Sequence, residues 1–411
     1  MLPELIARYD QRVPRYTSYP TAPHFSAAVT PEVYAGWLRD INPETVLSLY
    51  VHVPFCAELC WYCGCHTTVA RGYSPVAHYT SLLKKEMEQV ARRLPAVMPV
   101  SHMHWGGGTP TAMAPEDLLS VLTLLRTLFR FSGATETAVE IDPRVLTPEH
   151  VEALAGGGVT RASLGVQDFD PDVQKAVNRI QPYDVTLRAV NRLREAGIDK
   201  LNLDLMYGLP HQTTATVEAC VDRALTLAPD RIALFGYAHV PWMKKHQNLI
   251  AEQTLPKTPE RVAQMEAAAR RLEDSGYIAI GIDHFAKPGD AMARFQAEGR
   301  LHRNFQGYTT DDALALIGFG ASAIGFLPQG YVQNTTPIAG YLEAVAAGGL
   351  ATARGVALSD ADRLRRAVIE RLMCDFYVDL DREVRNSAVP DTDFSAEIAR
   401  VDKLSQDGIV I

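Results

Sequence analysis

What this sequence lacks narrows the field first. No basic run exceeds two residues, as at Arg92-Arg93 and Lys244-Lys245, and the formal net charge is −8. Bulk nucleic-acid binding needs a basic stripe or patch, so nucleic acid is not an expected partner. No apolar stretch approaches the roughly 20 residues that cross a bilayer. The N-terminal Met1-Leu2-Pro3-Glu4 starts neither the basic nor the apolar segment of a secretory signal. A cytoplasmic protein without a membrane span is therefore expected. Cysteine is scarce, at six in 411 residues. A disulfide scaffold would spread its cysteines. Here Cys56, Cys60, Cys63 and Cys65 fall within ten residues, and Cys220 and Cys374 stand far away. Clustering of this kind in a reducing compartment points to metal or redox chemistry.

What is present reads as an α/β protein. With 47% hydrophobic and 21% charged residues the chain can bury a large core, and its length suits two or three domains. Residues 1–45 form an arm. Its segment Pro14–Pro20, PRYTSYP, resists both helix and central strand and carries tyrosines suited to packing on another surface. From residue 46, strand-like runs at 46–53, 102–105, 137–141, 161–166, 200–205 and 231–235 alternate with helical patterns. A helix capped by Ser74, with Pro75 at its first position, would place Val76, Tyr79, Leu83 and Met87 on one stripe. Other helices are expected from Pro115, over 183–196 before Gly197, and near 215–227. Six βα units in succession imply a parallel sheet covered by helices, as a partial or complete barrel, with a doubly wound sheet as the rival. Residues 258–340 continue as mixed α/β. From Ser359 the pattern is helical, with Leu364, Val368, Leu372 and Cys374 near one face, and 408–411 read as a strand-like end.

Cys56, Cys60 and Cys63 make a C-x-x-x-C-x-x-C loop directly after the first strand. Three thiolates so spaced can bind three irons of a cubane and leave the fourth open to a chelating ligand. A structural zinc knuckle, with Cys65 or His66 as fourth ligand, is the alternative. Position favours the cluster, because catalytic groups of parallel barrels gather at the C-terminal ends of the strands. There the sequence puts the cysteine loop, Gly106-Gly107-Gly108-Thr109, Glu140 and Asp142, Gln167 and Asp168, Asp204, and Tyr237-Ala238-His239. The glycines would let backbone approach a ligand without interference from Cβ. Taken singly, the run reads equally as a tight turn, Glu140 as a partner of Arg144 or Arg161, and Gln167 as a core amide.

Together these residues resemble the radical S-adenosylmethionine superfamily, and within it the oxygen-independent coproporphyrinogen III oxidases. The resemblance runs from Pro14 to about residue 385. It is carried by SLYVHVPFC (48–56), CGC (63–65), HWGGGTPT (104–111), GVQDF (165–169), DLMYGLP (204–210) and HRNFQGY (302–308). It implies a partial (βα)6 barrel over 46–340, with the N-terminal arm 1–45 and a mostly helical C-terminal domain over 341–411. It implies a [4Fe–4S] cluster on Cys56, Cys60 and Cys63, with Cys65 beside it as a non-ligand. S-adenosylmethionine, one molecule or two, would be held by Tyr50, Tyr62, Gly107, Gly108, Thr109, Glu140, Gln167, Arg179, Asp204, Ala238 and Ile324. Phe305 and Gln306 would lie near a second S-adenosylmethionine or the porphyrinogen, and with Tyr50 and Cys65 they make the implied catalytic set.

The implied reaction is oxidative decarboxylation of two propionates of coproporphyrinogen III to the vinyls of protoporphyrinogen IX, in porphyrin and haem biosynthesis. An electron donor such as flavodoxin or ferredoxin and a monomeric enzyme are expected with it. The substrate carries four carboxylates, so Arg15, Arg303 and nearby histidines are candidate anchors. The arm is a candidate lid that excludes water and stray hydrogen donors. The family usually continues past this chain's last residue through a winged-helix-like domain, so a truncated C-terminal domain is expected. The alternative function is that of a haem-binding relative in the same superfamily, a haem chaperone or haem-degrading enzyme. Cys65 and the arm favour the oxidase.

Overall fold

The computed structural model describes residues 3–11 and 16–411. Pro14 and the candidate anchor Arg15 lie outside the described residues. Six strands run β1 (Leu47–Val53), β4 (Val100–Gly107), β5 (Glu136–Ile141), β6 (Arg161–Gln167), β7 (Lys200–Tyr207) and β8 (Arg231–Gly236). Two short strands, β2 (Phe55–Cys56) and β3 (Thr68–Val69), form a parallel pair that brackets the cysteine loop. Then come β9 (Ile278–Ile280), β10 (His284–Ala286), the hairpin β11 (His302–Asn304) and β12 (Gly307–Thr309), and finally β13 (Ala315–Phe319), β14 (Ile324–Leu327), β15 (Gly330–Asn334) and β16 (Thr352–Ala357).

Twelve of these strands make one sheet in the order β16-β15-β14-β13-β1-β4-β5-β6-β7-β8-β10-β9. Seven neighbouring strands, β13, β1, β4, β5, β6, β7 and β8, are parallel, and both edges are antiparallel. The edge strands β16 and β9 do not pair with each other, so this is an open, partial barrel. The seventh parallel strand, β13, comes from the region read as mixed α/β. β16 lies in the stretch 341–411 expected to be mostly helical, yet it pairs into the catalytic sheet along β15.

Period-two alternation decides what each face holds. On β1, Leu47, Leu49, Val51 and Val53 are fully buried in the main core, and Tyr50 lies on the other face. The same alternation buries Leu201, Leu203 and Leu205 on β7 and puts Asn202, Asp204 and Met206, all partly buried, on the other face. The helices cover the apolar face. Val76, Tyr79, Leu83 and Met87 of helix Ser74–Ala91 are all buried, as their spacing predicts. That helix begins at Ser74 itself, so the cap is Tyr73, with no side-chain hydrogen bond, and Pro75 is the second helical residue.

The arm is more ordered than its composition suggests. It contains helices Pro3–Tyr9 and Pro31–Arg39, the latter capped by the Thr30 side chain. Helix Asp360–Asp375 is capped by Ser359 and buries Leu364, Val368 and Cys374, whereas Leu372 is exposed. Four residues per step advance slightly more than one turn, so Leu372 drifts off the face that Leu364 starts. Residues 408–411 form no strand.

Candidate functional site

The cysteine loop leaves the C-terminal end of β1 and is fastened from several directions. β2 and β3 pair across it, and the Cys56 thiol lies 3.2 Å from Thr67 Oγ1. The Asn178 amide donates to the Leu59 carbonyl (2.9 Å), and Gln247 donates to that of Tyr62 (3.1 Å). His246 Nε2 is 2.8 Å from the Cys63 carbonyl, and Lys244 donates to that of Cys65 at 2.9 Å. Backbone carbonyls are therefore consumed by outside donors, which leaves the thiols to face the cavity. Cys56, Cys60, Cys63 and Cys65 all line that cavity.

The glycine run closes the opposite side. Gly108 N–H donates to Val53 O (2.8 Å) and Thr109 N–H to Phe55 O (2.8 Å). A Cβ on Gly108 would sit 2.3 Å from Phe55 O, and one on Gly106 would sit 2.6 Å from the Glu140 carboxylate. Gly107, at φ +117°, adopts a backbone that other residues rarely take. The glycines thus permit close packing against the cysteine loop and Glu140 as well as an open approach for a ligand.

Charge is arranged around Cys60. Arg144 and Arg179 each place a guanidinium nitrogen 3.5 Å from its sulfur, and Asp142 binds both arginines. Burial opposes the charge on Asp142, but the Arg144 hydrogen bond and the Arg179 charge hold its pKa below the ordinary carboxylate value. Burial also opposes the charge on Arg179, and Tyr62, Asp142 and Cys60 more than restore it. The Cys56 thiol is pushed up to about 11 by burial, and Cys63 is drawn down to about 6, chiefly by the Cys65 thiol. Further into the cup, Glu140 accepts from His104 (3.0 Å) and weakly from Gly107 N–H (3.3 Å). Asp204, held by Asn202 (2.8 Å) and Ser163 (3.2 Å), is pushed up to about 6 by burial and then by the Glu140 charge.

The structure gathers Tyr62, Gly107, Gly108, Glu140, Gln167, Arg179 and Asp204 with the cysteines on this one cavity. Tyr50 stands behind them, stacked on His104 at 6.1 Å with its hydroxyl 3.0 Å from His52 Nδ1. Thr109 is buried, bonded to Thr111 and to the amide of Asp142. Ala238 follows β8 and accepts from Gln247. Phe305 and Ile324 line a second cavity, and Gln306 sits at the turn of the β11–β12 hairpin beside Asn304. Glu140 pairs with neither Arg144 nor Arg161: Arg144 binds Asp142 and Glu58, and Arg161 binds Glu136 and Asp290. Asp204 falls within β7 and does not end it. The residues that clamp the loop, Asn178, Lys244, His246 and Gln247, were not anticipated. They act through backbone carbonyls more than 110 positions away, and no local pattern marks them.

Two features fit an iron–sulfur cluster with a chelating ligand. The thiols of Cys56, Cys60 and Cys63 share one cavity wall, with Cys65 beside them. The Nε of Arg179 is buried there without a hydrogen-bond partner among the described residues.

Comparison with known proteins agrees. Residues 50–224 match the family model described as "Radical SAM superfamily". The oxygen-independent coproporphyrinogen III oxidase of Bradyrhizobium diazoefficiens is 51% identical over 402 residues, spanning 98% of this chain and 89% of that protein. Its counterpart in Salmonella typhimurium is 39% identical over 409 residues, spanning 99% and 89%. The solved structure of coproporphyrinogen III oxidase from Escherichia coli, described as a radical SAM enzyme, superposes with a TM-score of 0.91 at 38% identity. The match spans 98% of this chain and 92% of that one.

Proposed function

This chain belongs to the oxygen-independent coproporphyrinogen III oxidase family of the radical SAM superfamily, and we propose that it converts coproporphyrinogen III to protoporphyrinogen IX in haem biosynthesis. Its cofactors are a [4Fe–4S] cluster and S-adenosylmethionine. The observation that carries the reading is a single cavity. It joins the three-cysteine loop to Glu140 and Asp204, in a chain 51% identical to a named oxidase over 98% of its length.

When bound, the reduced cluster and S-adenosylmethionine would supply the carbon radical that takes a propionate β-hydrogen; carbon dioxide would then leave, one electron would pass to an external acceptor, and the vinyl group would remain. The protein's part is holding and shielding. Cys56, Cys60 and Cys63 hold the cluster, and Arg144 and Arg179 donate to the Cys60 sulfur. The Gly107–Gly108 backbone, Glu140 and Asp204 receive the amino-acid and ribose groups of S-adenosylmethionine, with Tyr50, Tyr62, Thr109, Gln167, Arg179, Ala238 and Ile324 completing its surroundings. Phe305 and Gln306 face the substrate. Residues 16–20 pack beside Arg303 and Tyr331 and act as the lid that excludes water.

We divide the chain into the arm 1–45, the catalytic sheet 46–340 and the C-terminal region 341–411. A small electron carrier such as flavodoxin or ferredoxin reduces the cluster, and the enzyme works as a monomer in the cytoplasm. Among the described residues, no helix is long and apolar enough to cross a membrane. The test is anaerobic reconstitution with iron and sulfide, then product analysis with coproporphyrinogen III, S-adenosylmethionine and a low-potential reductant. Protoporphyrinogen IX is the expected product. Stable haem binding with no decarboxylation, or full turnover in air without reductant, overturns the assignment.

A further inference from the structure

A second cavity, of about 380 Å³, lies where β13–β15, the β11–β12 hairpin and helix Asp360–Asp375 meet. It belongs to the same concave side as the cysteine cavity. Leu316 in its wall is in register with Ser48, two residues before Tyr50 on β1, so Leu316 and Tyr50 share a face. Its apolar wall is aromatic, with Phe305, Phe326 and Tyr331 meeting edge-on or tilted at 4.9–5.8 Å. Such a wall suits an apolar ring system.

The charges in this wall are not balanced alike. Its carboxylates have basic partners: Asp311 with His102 (3.1 Å), Glu370 with His302 (3.1 Å), and Asp312 with Arg300 (3.9 Å). Arg363 spends its donors on the Pro328 and Leu358 carbonyls. Two cations remain. Arg366 lies over the Phe326 ring at 4.0 Å and, among the described residues, makes no hydrogen bond or ion pair. Arg303 lies over the Tyr308 ring at 4.4 Å; its backbone N–H donates to Glu370 (3.4 Å), and of its guanidinium only Nε donates, to the Tyr16 carbonyl (3.2 Å). Its Nη1 is buried and unpartnered among the described residues. An aromatic face orients a guanidinium without neutralising it, so both forks stay available to an anion.

A cavity with an aromatic wall and two unspent arginines fits an amphipathic carboxylate. The decarboxylase reading, on which this inference rests, requires such a substrate to be held by the propionates that do not react. We propose that Arg366, together with Arg303, binds a carboxylate of coproporphyrinogen III that the reaction leaves intact. Arg366 stands on helix Asp360–Asp375 of the C-terminal region, so this region contributes to substrate recognition as well as to closure of the fold.

The test is steady-state turnover of the reconstituted enzyme carrying Arg366→Gln, and separately Arg366→Lys. Losing a charge-assisted fork on a carboxylate is expected to raise KM for coproporphyrinogen III about tenfold or more. The value of kcat and the cluster spectrum should stay within about twofold of wild type. Arg366→Lys keeps the charge but not the fork, so its KM should fall between the two; it also carries the test should Arg366→Gln fail to fold. An unchanged KM in a folded variant overturns the anchor, and so does a kcat that falls as steeply as KM rises, since that marks a reacting propionate. Wild-type enzyme that forms no protoporphyrinogen refutes the decarboxylase reading instead, and coproporphyrin III binding by fluorescence quenching then decides the anchor alone.

Discussion

Glu86 offers a prediction that can be worked from the structure in numbers. It lies on the buried face of helix Ser74–Ala91 and is 2% exposed. Its carboxyl accepts from Gly320 N–H (2.7 Å), the Asn334 amide (2.6 Å) and the Tyr341 hydroxyl (2.8 Å). Burial pushes its pKa up from 4.5 to about 7, and the three hydrogen bonds only partly offset that rise. The native state therefore binds the proton more tightly than the unfolded chain does. The resulting stability is fully present below about pH 4.5 and is lost as pH rises through about 7. At 1.36 kcal/mol per unit, the loss between pH 5 and pH 8 is about 2.5 kcal/mol. With an unfolding entropy near 2.1 cal/mol/K per residue, that corresponds to about 3 °C in Tm for a chain of 411 residues. Glu86→Gln keeps the shape and cannot titrate. Its Tm should fall about 3 °C less than that of wild type between pH 5 and pH 8, with both measured by anaerobic thermal unfolding. Parallel displacement of the two midpoints would show that Glu86 is not the titrating group. The effect reaches the site, because the Gly320 turn that Glu86 holds leads directly into Ile324.

Three further outcomes follow from the loop and its surroundings. Alanine at Cys56, Cys60 or Cys63 should abolish reductive cleavage of S-adenosylmethionine, whereas Cys220→Ala should leave iron content unchanged, because Cys220 is buried in a distant helix; a full iron complement in the triple variant refutes the ligand set. Cys65→Ser should retain the cluster's visible absorption yet lose most decarboxylation, since the residue shares the cavity wall with Cys63; wild-type rates of protoporphyrinogen formation would remove its role. Gly108→Ala should lower stability by about 1–3 kcal/mol and disturb the cysteine loop, since its methyl would meet the Phe55 carbonyl at 2.3 Å; an unshifted Tm with normal cluster loading refutes the close-packing argument.

Most of the catalytic sheet was legible because its strands follow a simple physical rule. β1 and β7 bury every second residue in apolar side chains, and the helices between them carry stripes such as Val76, Tyr79, Leu83 and Met87. The antiparallel extension was not legible as strands. β14 is four residues long, and β15 buries all five of its residues, polar Gln333 and Asn334 included, so neither alternation nor a sustained apolar run marks it. The cysteine motif, the glycine run, Glu140 and Asp204 could be read as one rim from strand order alone. How they are held could not. The clamps on the loop come from Asn178 and from the turn at 244–247, and the second cavity is completed by Arg366 from a helix near the other end of the chain. These pairings depend on closure of the whole sheet, which local periodicity does not encode.

The two ends of the parallel strands divide their charged groups by purpose. At the N-terminal ends, Arg161 and Arg231 are buried with Glu136 and Asp290 in a closed set of ion pairs, 2.8–3.3 Å apart. Each cation there has a carboxylate, and removing one member would strand another in low dielectric. At the C-terminal ends the charged groups line open cavities instead. Arg179 shares Asp142 with Arg144 and faces the Cys60 sulfur, Asp204 is pushed up to about 6 by burial and then by the Glu140 charge, and the four clustered cysteines line the same wall. In the second cavity each acid has a basic partner, while Arg303 and Arg366 lie over aromatic rings. Both places lie on the concave side that carries the cysteines, the end at which a parallel sheet gathers its catalytic groups.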